Sequence, residues 1–267
     1  FSVNEDSLPY SDSDDLITYS SAVGGVVATA CRNRCDYCSF PRREADLVVP
    51  YSTIKVFKTA RRAGAREANI VAGERPDRYH SIRAKFDVWG FNSYVEYVYT
   101  VAELAFLEGL LVNLNVGFLS QAELKYLQDI VATVELSLEV LSKDFLLPNR
   151  AHHRSPSKDP DIRVKFLETT GKLNFPTLTG IMVGIGEKPE DRIRTLVKIK
   201  EIHEEYGHIQ SVKIAPFMPM DEHEYPYKQP PYEVLLETVR LAREILPTDV
   251  FAILFGTSFK NTLSLLK

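Results

Sequence analysis

Residues 22–38 read AVGGVVATACRNRCDYC. The run up to Ala30 is small, apolar or β-branched and carries no charge, which is the composition of a strand buried on both faces. The polar segment that follows holds Cys31, Cys35 and Cys38 at spacing C-x3-C-x2-C, with Arg32, Arg34 and Asp36 between them. A buried strand therefore delivers three thiols to a short loop.

The same alternation recurs outward along the chain. A helix pattern is expected at about 52–63, a strand at 67–72 (EANIVA) closed by Gly73 and Glu74, and helices at 79–89 and 93–108. Next come LLVNLNV near 110–116, a helix opened by a Ser120/Glu123 capping box, and VATVELSLE at 131–139, read as a strand ending at Glu139. Further on lie a helix near 161–173, a strand near 176–185, a charged helix near 189–205, VKIAPF at 212–217, a helix near 231–245 and VFAILF at 250–255. Parallel strands need long crossovers and are covered on both faces, so this alternation specifies βα units in an α/β protein with about seven strands. A doubly wound sheet and a TIM-type barrel both satisfy that count. The chemically loaded residues fall at the C-terminal ends of successive strands, round one mouth, so a partial (β/α) TIM-type barrel is expected.

The 267 residues are 45% hydrophobic and 25% charged, which is globular and is read as one domain over 1–267, with 1–16 as an N-terminal extension. No apolar run is long enough for a membrane helix. Phe1 to Asp15 is acidic and polar rather than signal-like, so a cytoplasmic protein is expected. A net charge of −4 offers no general attraction for phosphate backbones, which makes nucleic acid a poor partner and small molecules the expected ones.

The three cysteines are the whole inventory of the chain. Their odd number and close spacing do not form a disulfide framework. Thiolates are the soft ligands preferred by iron–sulfur clusters and zinc. Three of them leave one iron of a 4Fe-4S cluster without a protein ligand, open to the amino and carboxylate groups of S-adenosyl-L-methionine (SAM). The product of its cleavage would be a 5′-deoxyadenosyl radical. Two other readings stay open: three structural core thiols, and a Cys3His zinc site completed by His152 or His153.

The cysteine spacing, with Tyr37 just before the last cysteine, resembles the signature of the radical SAM superfamily. Gly73-Glu74 is similar to the glycine–glutamate motif that receives the SAM amino group, and residues 180–187 (GIMVGIGE) resemble the G-x-I-x-G-x-x-E segment lining the SAM pocket through Gly184. Glu139 matches the position from which relatives contact the SAM ribose, and Arg154 would face the SAM carboxylate. The segments CRNRCDYCSF, GERPDRY, NSYVEYVYTVAELA, GLLVNLNVGFLS, SPSKDPDIRVKFLE, TGIMVGIGE and EYGHIQSVKIAPFMP resemble the CofG-type subunit of deazaflavin (FO) synthases, from about 17 to 220. That resemblance implies a lyase of coenzyme F-420 biosynthesis, which forms FO by hydrogen abstraction, cyclisation and ammonia loss from a hydroxybenzyl-ribityl-uracil adduct. It also implies a second FO synthase subunit that makes the adduct, and an electron donor such as flavodoxin or ferredoxin. Another radical SAM enzyme of the menaquinone or thiamine pathway type, or a non-catalytic metal-binding relative, are the alternatives.

The chain departs from that pattern at Asn113-Leu114-Asn115-Val116-Gly117, at Ala151-His152-His153-Arg154-Ser155-Pro156, at Ala28-Thr29-Ala30, and in a C-terminal part that is short relative to the family. These departures touch the substrate side more than the cluster side. The general acid or base is not identified. Tyr94, Tyr97 and Tyr99 are expected in the core or at its edge. His203 and His208 are expected at the surface or at a cap. Gly184 and Gly186 lack the spacing of a dinucleotide loop.

Overall fold

The computed structural model describes residues 20–40, 46–219 and 226–254. One sheet of seven parallel strands runs β1 (Ala22–Ala28), β2 (Glu67–Ala72), β3 (Leu111–Asn115), β4 (Thr133–Glu135), β5 (Thr177–Val183), β6 (Ile209–Pro216) and β7 (Phe251–Leu254), side by side in chain order. An order without reversal has no topological switch point, so the sheet is wound in one sense and the doubly wound alternative falls away. Among the described residues β7 does not pair with β1. The result is the open, partial barrel expected.

Helices α1 (Pro50–Arg62), α2 (His80–Trp89), α3 (Tyr94–Leu107), α4 (Gln121–Leu127), α5 (Pro160–Lys172), α6 (Pro189–Tyr206) and α7 (Tyr232–Ile245) supply the crossovers. Their starts are encoded locally. Ser93 accepts the Glu96 N–H ahead of α3, Ser120 and Glu123 form the expected capping box of α4, and Asp159 accepts the Asp161 N–H ahead of α5. Proline occupies the first turn of α1, α5 and α6, where a missing N–H costs nothing.

The two faces of the sheet differ in chemistry. On β2, Ala68, Ile70 and Ala72 are buried while Glu67, Asn69 and Val71 are half-buried. The buried face continues through Val112, Leu114, Val134, Val212 and Ile214 and packs against helix residues such as Val98, Val101, Phe166 and Leu196 in one cluster. Burying each of these larger apolar side chains stabilises the fold by about 1.5–3 kcal/mol. The apolar core thus lies between sheet and helices, and the concave face is left to Asn69, Asn113, Asn115, Glu135 and Lys213, which hydrogen-bond across strands.

The tyrosines of α3 are core residues with satisfied hydroxyls. Tyr97 is fully buried and donates to the Val27 and Val48 carbonyls, and buried Tyr94 reaches the carbonyls of Gly73 and Val116. His203 and His208 are not surface residues: both are buried, and His203 Nδ1 accepts the Ile209 N–H as a local cap.

The expected fourth strand is shorter than its apolar pattern. β4 stops at Glu135, and Glu139 keeps only an isolated bridge to Ile181. Past Glu135 main-chain bonds to β5 persist only at Leu136 and Glu139; between them Arg163 takes the Ser137 carbonyl, and the Leu138 N–H goes to the Thr179 hydroxyl. The backbone then enters the left-handed region at Glu139, with φ of 65°. The N-terminal extension and the chain end at Lys267 lie outside the described residues. No described helix is long and apolar enough to cross a membrane.

Candidate functional site

A cavity of about 230 Å³ opens at the C-terminal ends of the strands. Cys31, Cys35 and Cys38 line it, together with Tyr37 from the same loop. Gly73 and Glu74 reach it from the end of β2, and Glu139, Lys158 and Arg163 from beyond β4. The structure therefore brings together seven of the nine residues singled out from sequence. Arg154 and Gly184 are not among those lining the cavity. The Arg154 guanidinium pairs with Asp36 at 3.2 Å and is about half exposed. Gly184, with φ of 96°, donates its N–H to Glu187. Glu187 also accepts from the Ile185 N–H and lies 3.6 Å from Arg192, so its carboxylate closes the turn after β5.

The cysteine loop is held from several directions. The Arg32 N–H bonds the Glu74 carbonyl, Arg34 N–H the Arg154 carbonyl and Asp36 N–H the Ala151 carbonyl. The Asn33 side chain donates to the Ser157 hydroxyl and accepts the Ser157 N–H. Two sulfurs already act as acceptors: Cys31 Sγ from the Glu74 N–H and Cys35 Sγ from the Ser155 hydroxyl, both at 3.2 Å. Burial pushes all three thiols up, Cys38 to about 11. Their deprotonation accordingly goes with a cationic metal centre.

Glu74 is 3% exposed. Its Oε2 accepts the Phe118 N–H, whereas Oε1 has no hydrogen-bond partner among the described residues and sits 3.5 Å from Arg32 Nε. A buried carboxylate oxygen left short of a donor fits an incoming ammonium group. Gly117 makes room for it: with φ of 83°, its missing Cβ would lie 2.4 Å from Glu74 Cγ.

Glu139 is a second hub of the cavity lining. Lys158 and Tyr37 both donate to its carboxylate, and His152 Nε2 lies 3.0 Å away. Burial alone would raise this carboxyl, but Lys158, then His152 and Arg163, hold it well below the usual carboxylate range. The same burial pushes His152 down against the opposing pull of Glu139, and pushes Tyr37 well up. These contacts bear on the zinc alternative: His152 Nε2 faces Glu139 and Tyr37, and His153 Nδ1 lies against the Arg150 carbonyl and Asp36. Three thiols lining one cavity with an orphaned carboxylate oxygen fit a multinuclear cluster with an amine-bearing ligand.

Sequence reading missed Lys158, Arg163, Asn33 and Ser155. Lys158 and Ser155 fall in SPSKDP, whose only local message is the start of a helix, and nothing in it announces contact with Glu139 or Cys35.

Residues 26–199 match the radical SAM superfamily. The chain is 39% identical over 237 residues to the 7,8-didemethyl-8-hydroxy-5-deazariboflavin synthase of Archaeoglobus fulgidus, covering 88% of this chain and 71% of that one. It is 38% identical over 245 residues to the enzyme of the same name from Methanococcoides burtonii, covering 88% and 72%. The fold resembles the FeFe-hydrogenase maturase HydG of Carboxydothermus hydrogenoformans, with TM-score 0.72 at 16% identity over 92% of this chain, which spans 56% of that structure. It also resembles methylornithine synthase, with TM-score 0.63 at 18% identity, covering 90% and 73%. The chain belongs to the radical SAM superfamily and, within it, to the 7,8-didemethyl-8-hydroxy-5-deazariboflavin synthases.

Proposed function

We propose that this chain is a single radical SAM domain that carries out the ring-closing half of FO formation: hydrogen abstraction from a hydroxybenzyl-ribityl-uracil adduct, cyclisation and loss of ammonia. Family membership supports the reaction class. The observation that carries the reading to these residues is the cavity shared by three thiols and the orphaned Glu74 carboxylate oxygen.

Cys31, Cys35 and Cys38 hold the 4Fe-4S cluster, with the Glu74 N–H and Ser155 hydroxyl donating to two of the sulfurs. Glu74 Oε1 receives the SAM ammonium. Glu139 has three partners on two oxygens, and a carboxylate offers about four lone-pair directions, so it can still accept one ribose hydroxyl. When bound, cluster and SAM supply the one-electron chemistry that starts hydrogen abstraction. Tyr37 closes the site against water by joining the cysteine loop to Glu139. Arg154, in its pair with Asp36, steadies the loop from outside. A second FO synthase subunit supplies the adduct, and a small electron carrier such as flavodoxin or ferredoxin supplies the reducing equivalent.

Anaerobically reconstituted protein, given reductant, SAM and the partner subunit's product, is expected to generate deazaflavin fluorescence together with 5′-deoxyadenosine. Cleavage of SAM with no fluorescence would overturn the substrate assignment. A colourless protein holding one zinc would overturn the cofactor assignment.

A further inference from the structure

Below the cysteine cavity the concave face of the barrel carries a second polar constellation that holding the cluster and SAM does not require. Lys213 Nζ on β6 lies 2.5 Å from Glu135 Oε2 on β4, and the pair is 17% and 5% exposed. Asn115 Nδ2, at the end of β3, donates to the other oxygen, Glu135 Oε1, at 3.0 Å. Asn113 braces the carboxylate from behind: its amide reaches Asn69 at 3.3 Å and Glu135 at 3.5 Å, and its oxygen accepts the Thr133 hydroxyl. Asn115 lines the cavity itself, so the constellation is continuous with the cluster site.

The β5 strand between the two charged residues is cut away to let them meet. Gly180 pairs in register with Lys213, and a Cβ there would lie 2.6 Å from the Lys213 carbonyl oxygen and 3.0 Å from its Cβ. This is the first glycine of the GIMVGIGE segment, and the backbone carbonyl and Cβ at position 213 leave no room for a side chain there. A nearly dry ion pair inside a barrel costs desolvation that its mutual attraction barely offsets, and apolar residues would fill the same space at least as stably. The pair adjoins the cavity through Asn115, and a pair retained beside a binding cavity is accounted for by what it binds.

The groups stand in a row: amide donor, carboxylate acceptor, ammonium donor. An ammonium carries three donors and an amide nitrogen two, more than the carboxylate takes from either. The matching edge is acceptor, donor, acceptor, which is the imide of a pyrimidinedione, with its two carbonyls flanking one N–H. We propose that Asn115, Glu135 and Lys213 form the subsite that reads the imide edge of the substrate's uracil ring and so sets where the rest of the adduct lies relative to the cluster. This rests on the FO-forming reading above.

The test uses equilibrium binding as well as turnover. Probes are the ribityl-diaminouracil fragment and its analogue methylated on the imide nitrogen, measured by calorimetry on the reconstituted enzyme. The parent is expected to bind the fragment at least tenfold more tightly than the methylated analogue. The double variant E135L/K213M replaces the ion pair by apolar residues of similar size and is expected to keep its thermal midpoint and iron content. It should bind the fragment at least tenfold more weakly and lose discrimination against the methylated analogue, with a matching rise in KM for the adduct. Fragment binding within twofold of the parent in a folded, iron-loaded double variant would overturn the subsite. If the double variant fails to fold, the pair is structural and the proposal falls, unless Asn115→Leu, which leaves the pair intact, shows the same loss of discrimination. A parent that cleaves SAM but never converts the adduct would instead overturn the FO-forming reading, and the subsite with it. A parent that converts the adduct while ignoring the methyl group would overturn the subsite alone.

Discussion

Lys158 and Glu139, 19 residues apart, form an ion pair with side chains only 13% and 8% exposed, in the cavity that the cysteines line. Removing one partner strands the other charge away from water. Lys158→Met is therefore expected to destabilise the protein by roughly 3–5 kcal/mol, and the double variant E139Q/K158M by much less. Urea unfolding of the three proteins checks this. A double variant as unstable as the single one would mean the pair is not the source of the loss.

Cys35 is 5% exposed yet belongs to neither apolar core cluster, and its sulfur is held by the Ser155 hydroxyl. Cys35→Ala should leave far-ultraviolet circular dichroism unchanged while abolishing stable iron incorporation and 5′-deoxyadenosine formation. Iron content and SAM cleavage at parent level would show that this thiol is not a ligand.

Glu74→Gln replaces the orphaned carboxylate oxygen by an amide while keeping its shape. Loss of a charge-assisted hydrogen bond is worth about 1.5–3 kcal/mol, so SAM should bind roughly ten- to a hundredfold more weakly at unchanged iron content. Calorimetric titration with SAM measures it, and unchanged affinity would detach Glu74 from the ligand.

His208 is 4% exposed, and burial pushes its imidazole down from 6.5 to about 4. Between those values the unfolded chain takes up a proton that the folded protein refuses. Stability should therefore fall as pH drops through that window and be unaffected by this residue well above it. The loss is roughly 1–3 kcal/mol by pH 4. His208→Leu should show a shallower decline in urea midpoint between pH 7.5 and 5 than the parent. Parallel declines would refute the assignment.

Local pattern alone was enough to place the strands, the helices and the cysteine loop, because apolar periodicity, capping residues and ligand spacing are written within a few residues of one another. The bounds of β2, Glu67–Ala72, and the capping box before α4 were legible in this way. Glu74 was singled out by the resemblance of Gly73-Glu74 to a family motif rather than by local pattern, and it stands two residues past the end of β2. β4 was over-read: an apolar pattern reports burial, and whether Ser137 stays in a ladder depends on Arg163, which lies 26 residues on. Only the tertiary structure decided the order of the sheet, because an alternation of strands and helices is the same for both windings. It alone also decided which polar side chains meet: Lys213 and Glu135 are 78 positions apart, and each looks locally like a lone charge in an apolar strand. Their pairing arises when the sheet curls and Gly180 leaves a gap between them, a three-dimensional coincidence that no short window of residues encodes.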